Sequence, residues 1–433
     1  MTGFTMTSWT WTVLGLASLA TAIGLFLAER QKMHVLAHRD AVPDRFADKI
    51  SLSAHHKAAD YTLAKLAPGN FGQVYALLLM VAWTVGGGLA LLDDVSASFG
   101  LSEIWTGVAF LMLFFLIGHL LELPLDIYTT FSIEAKFGFN KMTTGLYISD
   151  MCKQMILMLL IGAPLAWVIL SLMQGAGVWW WLYAWAFWTA FMLLMIWAYP
   201  TFIAPLFNKF KALEEGEMKS RIEALLQRCN FESNGLFVMD GSRRSSHGNA
   251  YFTGLGNAKR IVFFDTLLKQ LEPIETEAVL AHELGHFHHG HVKKRLFVMI
   301  AMSLAGFAIL GWLTQQGWFY NGLGVYHPSN HAALVLFMLI LPAFTFALDP
   351  VMSYFSRKNE FEADAYAVSN SSGESLASAL VKMYEDNAST LTPDPIYSAW
   401  HDSHPPAPIR IGHIEKQLAN KYSLLNNKIL PRS

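Results

Sequence analysis

Residues 178–198 read VWWWLYAWAFWTAFMLLMIWA, a run of 21 residues without a charged side chain. A helix of about 20 apolar residues crosses the hydrocarbon core of a bilayer, which is about 30 Å thick. Of the 433 residues 53% are hydrophobic and only 15% are charged, against about 25% charged in soluble domains. The sequence therefore predicts an integral membrane protein with seven transmembrane helices. The seven apolar runs are 9–28, 74–92, 104–125, 154–173, 178–198, 296–315 and 332–351.

The distribution of Lys and Arg predicts the orientation of the chain in the membrane. All 31 basic residues lie in alternate connections, at 29–73, 126–153, 199–295 and 352–433. The positive-inside rule then places the N-terminus outside and the C-terminus in the cytoplasm. Run 9–28 is expected to be retained rather than cleaved as a signal peptide, because Arg30 and Lys32 follow it instead of preceding it. The net charge of −2 argues against a nucleic-acid partner.

A second motif, HELGH at 282–286, indicates a catalytic metal site. On a helix His282 and His286 leave the same face one turn apart, so both imidazoles can bind one zinc ion. Glu283 directly follows the first histidine and can act on the attacking water without binding the metal. Helix formers precede the motif, with Pro273 at the expected start of the helix.

Two histidines leave a zinc site incomplete, so a third protein ligand is needed. The metzincin pattern is excluded because its third histidine would fall at Val292, with His291 one position out of register. Glu360 and Asp364 share one face of a later predicted helix. We therefore expect Glu360 to bind the metal and Asp364 to hold the second nitrogen of His282. His288, His289 and His291 are interpreted as surface or packing residues.

The sequence also predicts the organisation outside the membrane. Loop 199–295 is expected to form an amphipathic helix at about 213–229, three strands near 235–239, 249–254 and 260–264, and the motif helix, with a turn at 254–257. Segment 29–73 is expected to form short surface helices broken by Pro68 and Gly69. His119 and Glu122 in the third run are interpreted as residues that brace the bundle. We expect four segments: a membrane domain of five helices (1–198), a catalytic loop domain (199–295), two further helices (296–351) and a C-terminal catalytic segment (352–433).

The chain resembles the type I CAAX prenyl protease family, integral-membrane zinc metalloproteases of the gluzincin type. The resemblance rests on several motifs that occur in the family's order along nearly the whole chain. These are SSHGNAYF at 245–252, RIVFFDTL at 260–267, HELGHFHHGH at 282–291, EFEADAYA at 360–367 and HDSHPP at 401–406.

The resemblance implies an all-α integral membrane protein whose seven helices surround a large chamber, with a cytoplasmic-side zinc metalloprotease domain that contains a small β-sheet. It implies one Zn²⁺ per chain, bound by His282, His286 and Glu360, with Glu283 activating water. Asn249 and His404 would hydrogen-bond the substrate backbone or the oxyanion, and Arg410 would lie beside the site. The expected partners are a peptide or protein substrate, prenylated or not, and the lipid bilayer.

Three other functions are open at this point. A protease for quality control of membrane proteins would use the same site. A site-2-type intramembrane protease would take Asp349 as third ligand, but the charged residues around HELGH disfavour an apolar setting for the motif. A seven-span receptor or transporter would leave both zinc motifs unexplained. A bacterial inner membrane is the expected location, with the endoplasmic reticulum membrane as the alternative.

Overall fold

The computed structural model describes residues 6–253 and 259–429 and is mostly helical. Within these ranges seven helices are long and apolar enough to cross a membrane, so the predicted number of transmembrane helices is confirmed. Their apolar composition and length follow from the runs identified above. The seven are Ser8–Ala37, Leu52–Trp83, Glu103–Glu134, Thr144–Gly175, Gly177–Phe207, His291–Leu313 and Asn330–Asn370.

The first half of the chain forms the membrane part. Three of its helices continue into π-helical turns, at Thr129–Glu134, Met158–Gly162 and Tyr199–Ile203. In chain order the helices are α1 (Ser8–Ala37), α2 (Leu52–Trp83), α3 (Gly88–Ala97), α4 (Glu103–Tyr128), α5 (Thr144–Leu157), α6 (Ala163–Gly175), α7 (Trp180–Ala198) and α8 (Ala204–Phe207).

The second membrane helix differs from the predicted run 74–92. Helix α2 continues through Pro68 and ends at Trp83, and Gly87, with a φ of 81°, precedes the separate α3. The expectation of short helices broken at Pro68 is therefore wrong. Proline is tolerated in membrane helices because neighbouring groups satisfy the freed carbonyl, whereas a positive φ is adopted without strain only by glycine.

Four ionisable side chains of the membrane part, Asp93, His119, Glu122 and His331, differ in their surroundings. His331 Nε2 lies 2.7 Å from Oδ1 of Asp93, which belongs to α3. His119 Nε2 is buried without a hydrogen-bond partner among the described residues. Glu122 is exposed. The predicted bracing role of His119 and Glu122 is not supported by a hydrogen bond in the described part of the chain.

A small mixed sheet precedes the motif helix. The described residues contain four strands, β1 (Phe210–Ala212), β2 (Leu236–Met239), β3 (Ala250–Thr253) and β4 (Arg260–Phe264), in the order β1-β2-β4-β3. Strands β2 and β4 are parallel, and the two outer strands are antiparallel to their neighbours. The three predicted strands are confirmed, and β1 was not predicted. The predicted turn at 254–257 lies outside the described residues.

The remaining helices complete the extramembrane part and the last spans. The predicted amphipathic helix is confirmed as the first of them. They are α9 (Glu217–Arg228), α10 (Asp265–Gln270), α11 (Pro273–His288), α12 (His291–Leu313), α13 (Gly317–Asn321), α14 (Asn330–Thr345), α15 (Asp349–Asn370), α16 (Gly373–Asp386), α17 (Pro395–His401) and α18 (Ala407–Ile429). The division into four segments stays a prediction, and its boundary at residue 351 falls within α15.

Most of these elements pack around two large hydrophobic cores in the described part of the chain. One lies among the membrane helices and includes Phe110, Phe319 and Leu336. The other surrounds α11 and joins it to the sheet and to α9, α15, α16 and α18, through residues such as Ile261 and Leu284. The loop domain and the C-terminal segment predicted from the sequence therefore pack on one another and place α11 at the centre of the second core.

Candidate metal centre

The start of α11 is fixed by charged and polar contacts. Pro273 occupies the first turn, where its missing N–H costs nothing, and the backbone N–H of Glu272 donates to Glu275 at 2.8 Å. The same Glu275 carboxylate accepts from Ser378 Oγ at 2.7 Å and from Lys382 Nζ at 2.8 Å, both on α16. These bonds anchor the helix that carries HELGH.

A glycine lets α11 and α15 approach closely. A Cβ added to Gly285 would lie 2.8 Å from Ala363 Cα and 3.0 Å from its carbonyl oxygen. Such distances are shorter than van der Waals contact, so no larger residue fits without moving a helix backbone. The close approach brings the histidine face of α11 to the acidic face of α15.

Three side chains from these two helices converge on one point. His282 Nε2 and His286 Nε2 lie 3.2 Å apart. Glu360 places Oε2 3.4 Å from the first of these nitrogens and Oε1 3.3 Å from the second. Tetrahedral zinc with bonds of about 2.0–2.2 Å separates its ligand atoms by roughly 3.3–3.5 Å, so the three side chains can hold one metal ion.

An unsatisfied oxygen supports a cation at this point. Glu360 Oε2 is buried and has no hydrogen-bond partner among the described residues. A buried carboxylate oxygen that accepts no hydrogen bond destabilises the fold by roughly several kcal/mol unless a cation lies beside it. The donor set of two imidazoles and one carboxylate is the set that suits a catalytic zinc, which keeps a fourth position open.

An ion pair lies behind the first histidine. His282 Nδ1 is 2.8 Å from Asp364 Oδ1, and Arg410 donates to both oxygens of Asp364 from Nε and Nη2 at 2.9 and 2.8 Å. Arg410 Nη2 is also 3.4 Å from Glu360 Oε2. Burial would lower the pKa of Arg410, but the charges of Asp364 and Glu360, with Tyr384, outweigh burial and raise that pKa above its usual value. The guanidinium therefore stays charged and neutralises two buried carboxylates.

Two predicted catalytic residues adjoin the metal ligands, Glu283 as the next residue in the chain and His404 in space. Glu283 is partly buried on α11, one residue after His282. His404 Nε2 is 3.6 Å from Glu360 Oε1, and Ser403 Oγ lies 3.0 Å from His404 Nδ1. The His404 side chain is 62% exposed, so open space adjoins the ligands.

Asn249 lies at the start of the edge strand rather than among the ligands. Its side-chain oxygen accepts from the Ala250 N–H at 2.8 Å, and its backbone oxygen accepts from the Phe264 N–H at 2.9 Å. Strand β3 runs beside α11, where Phe252 and Phe287 pack with ring centroids 4.8 Å apart. The structure thus places Asn249 on an edge strand next to the motif helix.

One neighbour of the ligands was not anticipated from the sequence. His291 Nδ1 lies 3.0 Å from His286 Nδ1, and His291 Nε2 lies 3.0 Å from Glu362 Oε2. His291 is buried and contacts a motif histidine, so the interpretation as a surface or packing residue missed this contact. The spacing of five residues from His286, with Gly290 just before His291, was the available signal.

The alternative third ligand is not at this site. Asp349 begins α15, eleven residues before Glu360, which corresponds to roughly 16 Å along a helix. Within the described residues the cluster that could hold a metal is His282, His286 and Glu360. The site-2-type arrangement with Asp349 is therefore not formed.

Comparisons with known proteins agree with this architecture. A family model described as the CAAX prenyl protease N-terminal part, with five membrane helices, matches residues 31–209, and the model of peptidase family M48 matches residues 212–418. CAAX prenyl protease 1 of Saccharomyces cerevisiae is 35% identical over 84% of this chain and 86% of its own length. The human homologue is 31% identical over 88% of this chain and 90% of its own.

A solved structure shows the same fold. The crystal structure of S. mikatae Ste24p superposes with a TM-score of 0.89 at 31% identity, covering 94% of this chain and 99% of that one. The resemblance found in the sequence motifs is therefore confirmed. The chain belongs to the CAAX prenyl protease family within peptidase family M48, and it is a multi-span membrane metalloprotease.

Proposed function

We propose that this protein is a zinc metalloendopeptidase that hydrolyses peptide bonds near the C-terminus of CAAX-type prenylated peptides. The observation that carries the proposal is the convergence of His282, His286 and Glu360, with one buried Glu360 oxygen that accepts no hydrogen bond from the described residues. These three side chains would hold one zinc ion per chain. A zinc ion held by them would supply Lewis-acid chemistry, polarising the scissile carbonyl and lowering the pKa of water.

The residues of the chain supply the proton transfers. Glu283 takes a proton from the attacking water as the new carbon–oxygen bond forms. It gives that proton to the amide nitrogen as the carbon–nitrogen bond breaks, so the amine leaves neutral. Glu283 suits this role because it directly follows a ligand histidine on α11 and is only partly buried.

His404 would stabilise the charge that develops on the carbonyl oxygen. With the Ser403 hydroxyl donating to Nδ1, a neutral His404 imidazole would carry its proton on Nε2, the atom that faces the ligands. A neutral N–H donor held beside the reacting carbonyl acts as an oxyanion-hole group. The 3.6 Å distance from Nε2 to Glu360 supports this placement.

The substrate backbone is proposed to extend the sheet at β3. That strand pairs with β4 on one side, and it is at the edge of the described sheet on the other. An extended peptide that pairs with an edge strand gains backbone hydrogen bonds without regard to its sequence. Asn249 at the start of β3 would contact the peptide near the scissile bond, and the expected chamber would receive the rest of the substrate.

The substrate class follows from the relatives named above, which are CAAX prenyl proteases. A prenylated C-terminus is drawn to the bilayer, and seven membrane helices bring the site to it. The basic connections favour a cytoplasmic site, a cytoplasmic C-terminus and an outside N-terminus. We also propose a bacterial inner membrane as the host membrane, with the endoplasmic reticulum membrane as the alternative.

The decisive experiment compares a farnesylated CAAX peptide with the same peptide unmodified, each with and without a metal chelator. We expect cleavage of the farnesylated peptide, loss of cleavage with chelator and recovery on adding zinc. Equal cleavage of both peptides would remove the prenyl requirement and favour the quality-control protease instead. Cleavage that persists in chelator would contradict a metal-dependent reaction.

A further inference from the structure

The second nitrogen of His286 has a buried partner of its own. His286 Nδ1 lies 3.0 Å from His291 Nδ1, and the far nitrogen of His291 lies 3.0 Å from Glu362 Oε2. We propose that His291 and Glu362 form a positioning pair that orients His286 toward the metal. The inference rests on the proposed metal binding by His286.

The chemistry of the three groups fixes where the protons lie. A carboxylate only accepts, so His291 must carry its proton on Nε2 to bond Glu362. Neutral His291 then offers a lone pair at Nδ1, which accepts the Nδ1–H of His286. His286 is left with a lone pair on Nε2, the atom that faces His282 and Glu360. The pair therefore selects the one neutral tautomer of His286 that can bind a metal at this point.

His286 and its positioning pair lie on three different helices, α11, α12 and α15. Gly290, with a φ of 67°, lies between α11 and α12 and turns the chain so that His291 at the start of α12 contacts His286. Glu362 comes from α15, two residues after Glu360, and so reaches the cluster from another side of that helix. His291 is only 5% exposed, which keeps water from competing for its two hydrogen bonds.

The arrangement parallels that of the first ligand histidine. His282 Nδ1 is held by Asp364, which is held by Arg410. His286 Nδ1 is held by His291, which is held by Glu362. Each motif histidine thus has a buried partner that is itself held by a charged side chain, Arg410 behind Asp364 and Glu362 behind His291. Such partners of ligand histidines usually change metal affinity or activity by about 10–100-fold when they are removed.

Metal affinity is the measurement that tests the pair, because it needs no substrate. Metal-depleted protein in detergent is titrated with zinc against a chromogenic chelator, for the wild type and for His291→Ala, His291→Gln and Glu362→Ala. We expect His291→Ala to weaken zinc binding about 10–100-fold. Glu362→Ala, at a side chain that is 36% exposed, should weaken it less. His291→Gln should recover part of the loss, because a glutamine amide can accept from His286 and donate to Glu362.

Matched variants separate the possible failures. His288→Ala removes an exposed histidine of α11, the helix that carries His286. The His288 ring contacts Tyr366, and the variant should leave zinc affinity unchanged. Glu360→Ala should lose zinc, and its retention at wild-type affinity would overturn the proposed ligand set itself. If Glu360→Ala loses zinc while His291→Ala and Glu362→Ala bind it as the wild type does, only the positioning pair is wrong. The positioning pair is also wrong if His291→Gln binds zinc no better than His291→Ala does.

Discussion

Arg410 on α18 and Asp364 on α15 form a buried two-point ion pair, with Nε and Nη2 of the arginine 2.9 and 2.8 Å from the two carboxylate oxygens. Neither side chain is more than 6% exposed. The same carboxylate holds Nδ1 of His282 at 2.8 Å. The pair therefore connects the C-terminal helix, the acidic helix and the first motif histidine.

Replacing Arg410 by Ala should destabilise the protein by about 3–5 kcal/mol, because it leaves Asp364 as an unpaired buried charge. Arg410→Lys keeps a charge but cannot donate from two fixed positions, so it should recover only part of that stability. Thermal unfolding in detergent measures both variants. A lysine variant as stable as the wild type would show that the two-point geometry is unimportant.

Glu283→Gln should lower turnover by at least about 10²–10⁴-fold, because glutamine cannot accept the proton of the attacking water. The metal content should stay at the wild-type level, since Glu283 lies outside the group His282, His286 and Glu360. Turnover and metal content are measured on the same preparation. Substantial remaining turnover would remove Glu283 as the base, and loss of metal would make it a ligand.

His404→Phe should lower kcat by about 10²–10³-fold with little change in metal content, because it removes an N–H donor and leaves the ligands in place. His401→Ala is the matched control, since His401 is an exposed histidine three residues earlier. Steady-state kinetics with the farnesylated peptide separate kcat from KM. A variant that changes KM alone would assign His404 to ground-state binding instead.

Glu275 should make the protein sensitive to acid. Burial would raise the pKa of Glu275, but the hydrogen bonds from Lys382, Ser378 and the Glu272 backbone together lower it below its ordinary value of 4.5. A carboxyl whose folded-state pKa is depressed stabilises the fold above its unfolded pKa, and this stabilisation is lost as the pH falls through the folded pKa.

The comparison of the wild type with Glu275→Gln tests this sign. At pH 7 the variant should be less stable by about 1–3 kcal/mol, since it gives up charged hydrogen bonds at a buried helix start. The difference in thermal midpoint should shrink below about pH 4.5, where the unfolded carboxyl takes up its proton. A difference that is constant with pH would mean that packing, and not ionisation, makes the contribution.

The sequence predicted the seven spans and the ligand spacing because both follow from local periodicity. Apolar length gave the membrane helices, and the four-residue spacing placed His282 and His286 on one face. Hydropathy did not show that α2 continues through Pro68, since membrane helices tolerate proline when other groups satisfy the backbone. His291 was missed for a different reason. Its contact with His286 depends on the left-handed Gly290 between α11 and α12, which a periodic pattern does not record.

The last prediction concerns the glycine that allows α11 and α15 to meet. A methyl group at position 285 would lie 2.8 Å from Ala363 Cα, in a helix backbone that cannot rotate away as a side chain could. Gly285→Ala should therefore separate the two helices and move Glu360 away from both histidines. We expect weaker zinc binding and lower turnover together, although no ligand is changed.

Gly118→Ala, in the membrane helix α4, is the control, because an added Cβ there meets nothing within 4 Å. It should leave zinc affinity unchanged, so that any general effect of replacing a helical glycine is subtracted. The chelator titration described for His291 measures both variants. Wild-type zinc affinity in Gly285→Ala would mean that the two helices can separate without disturbing the ligands, so the close approach would not be what holds Glu360 in place.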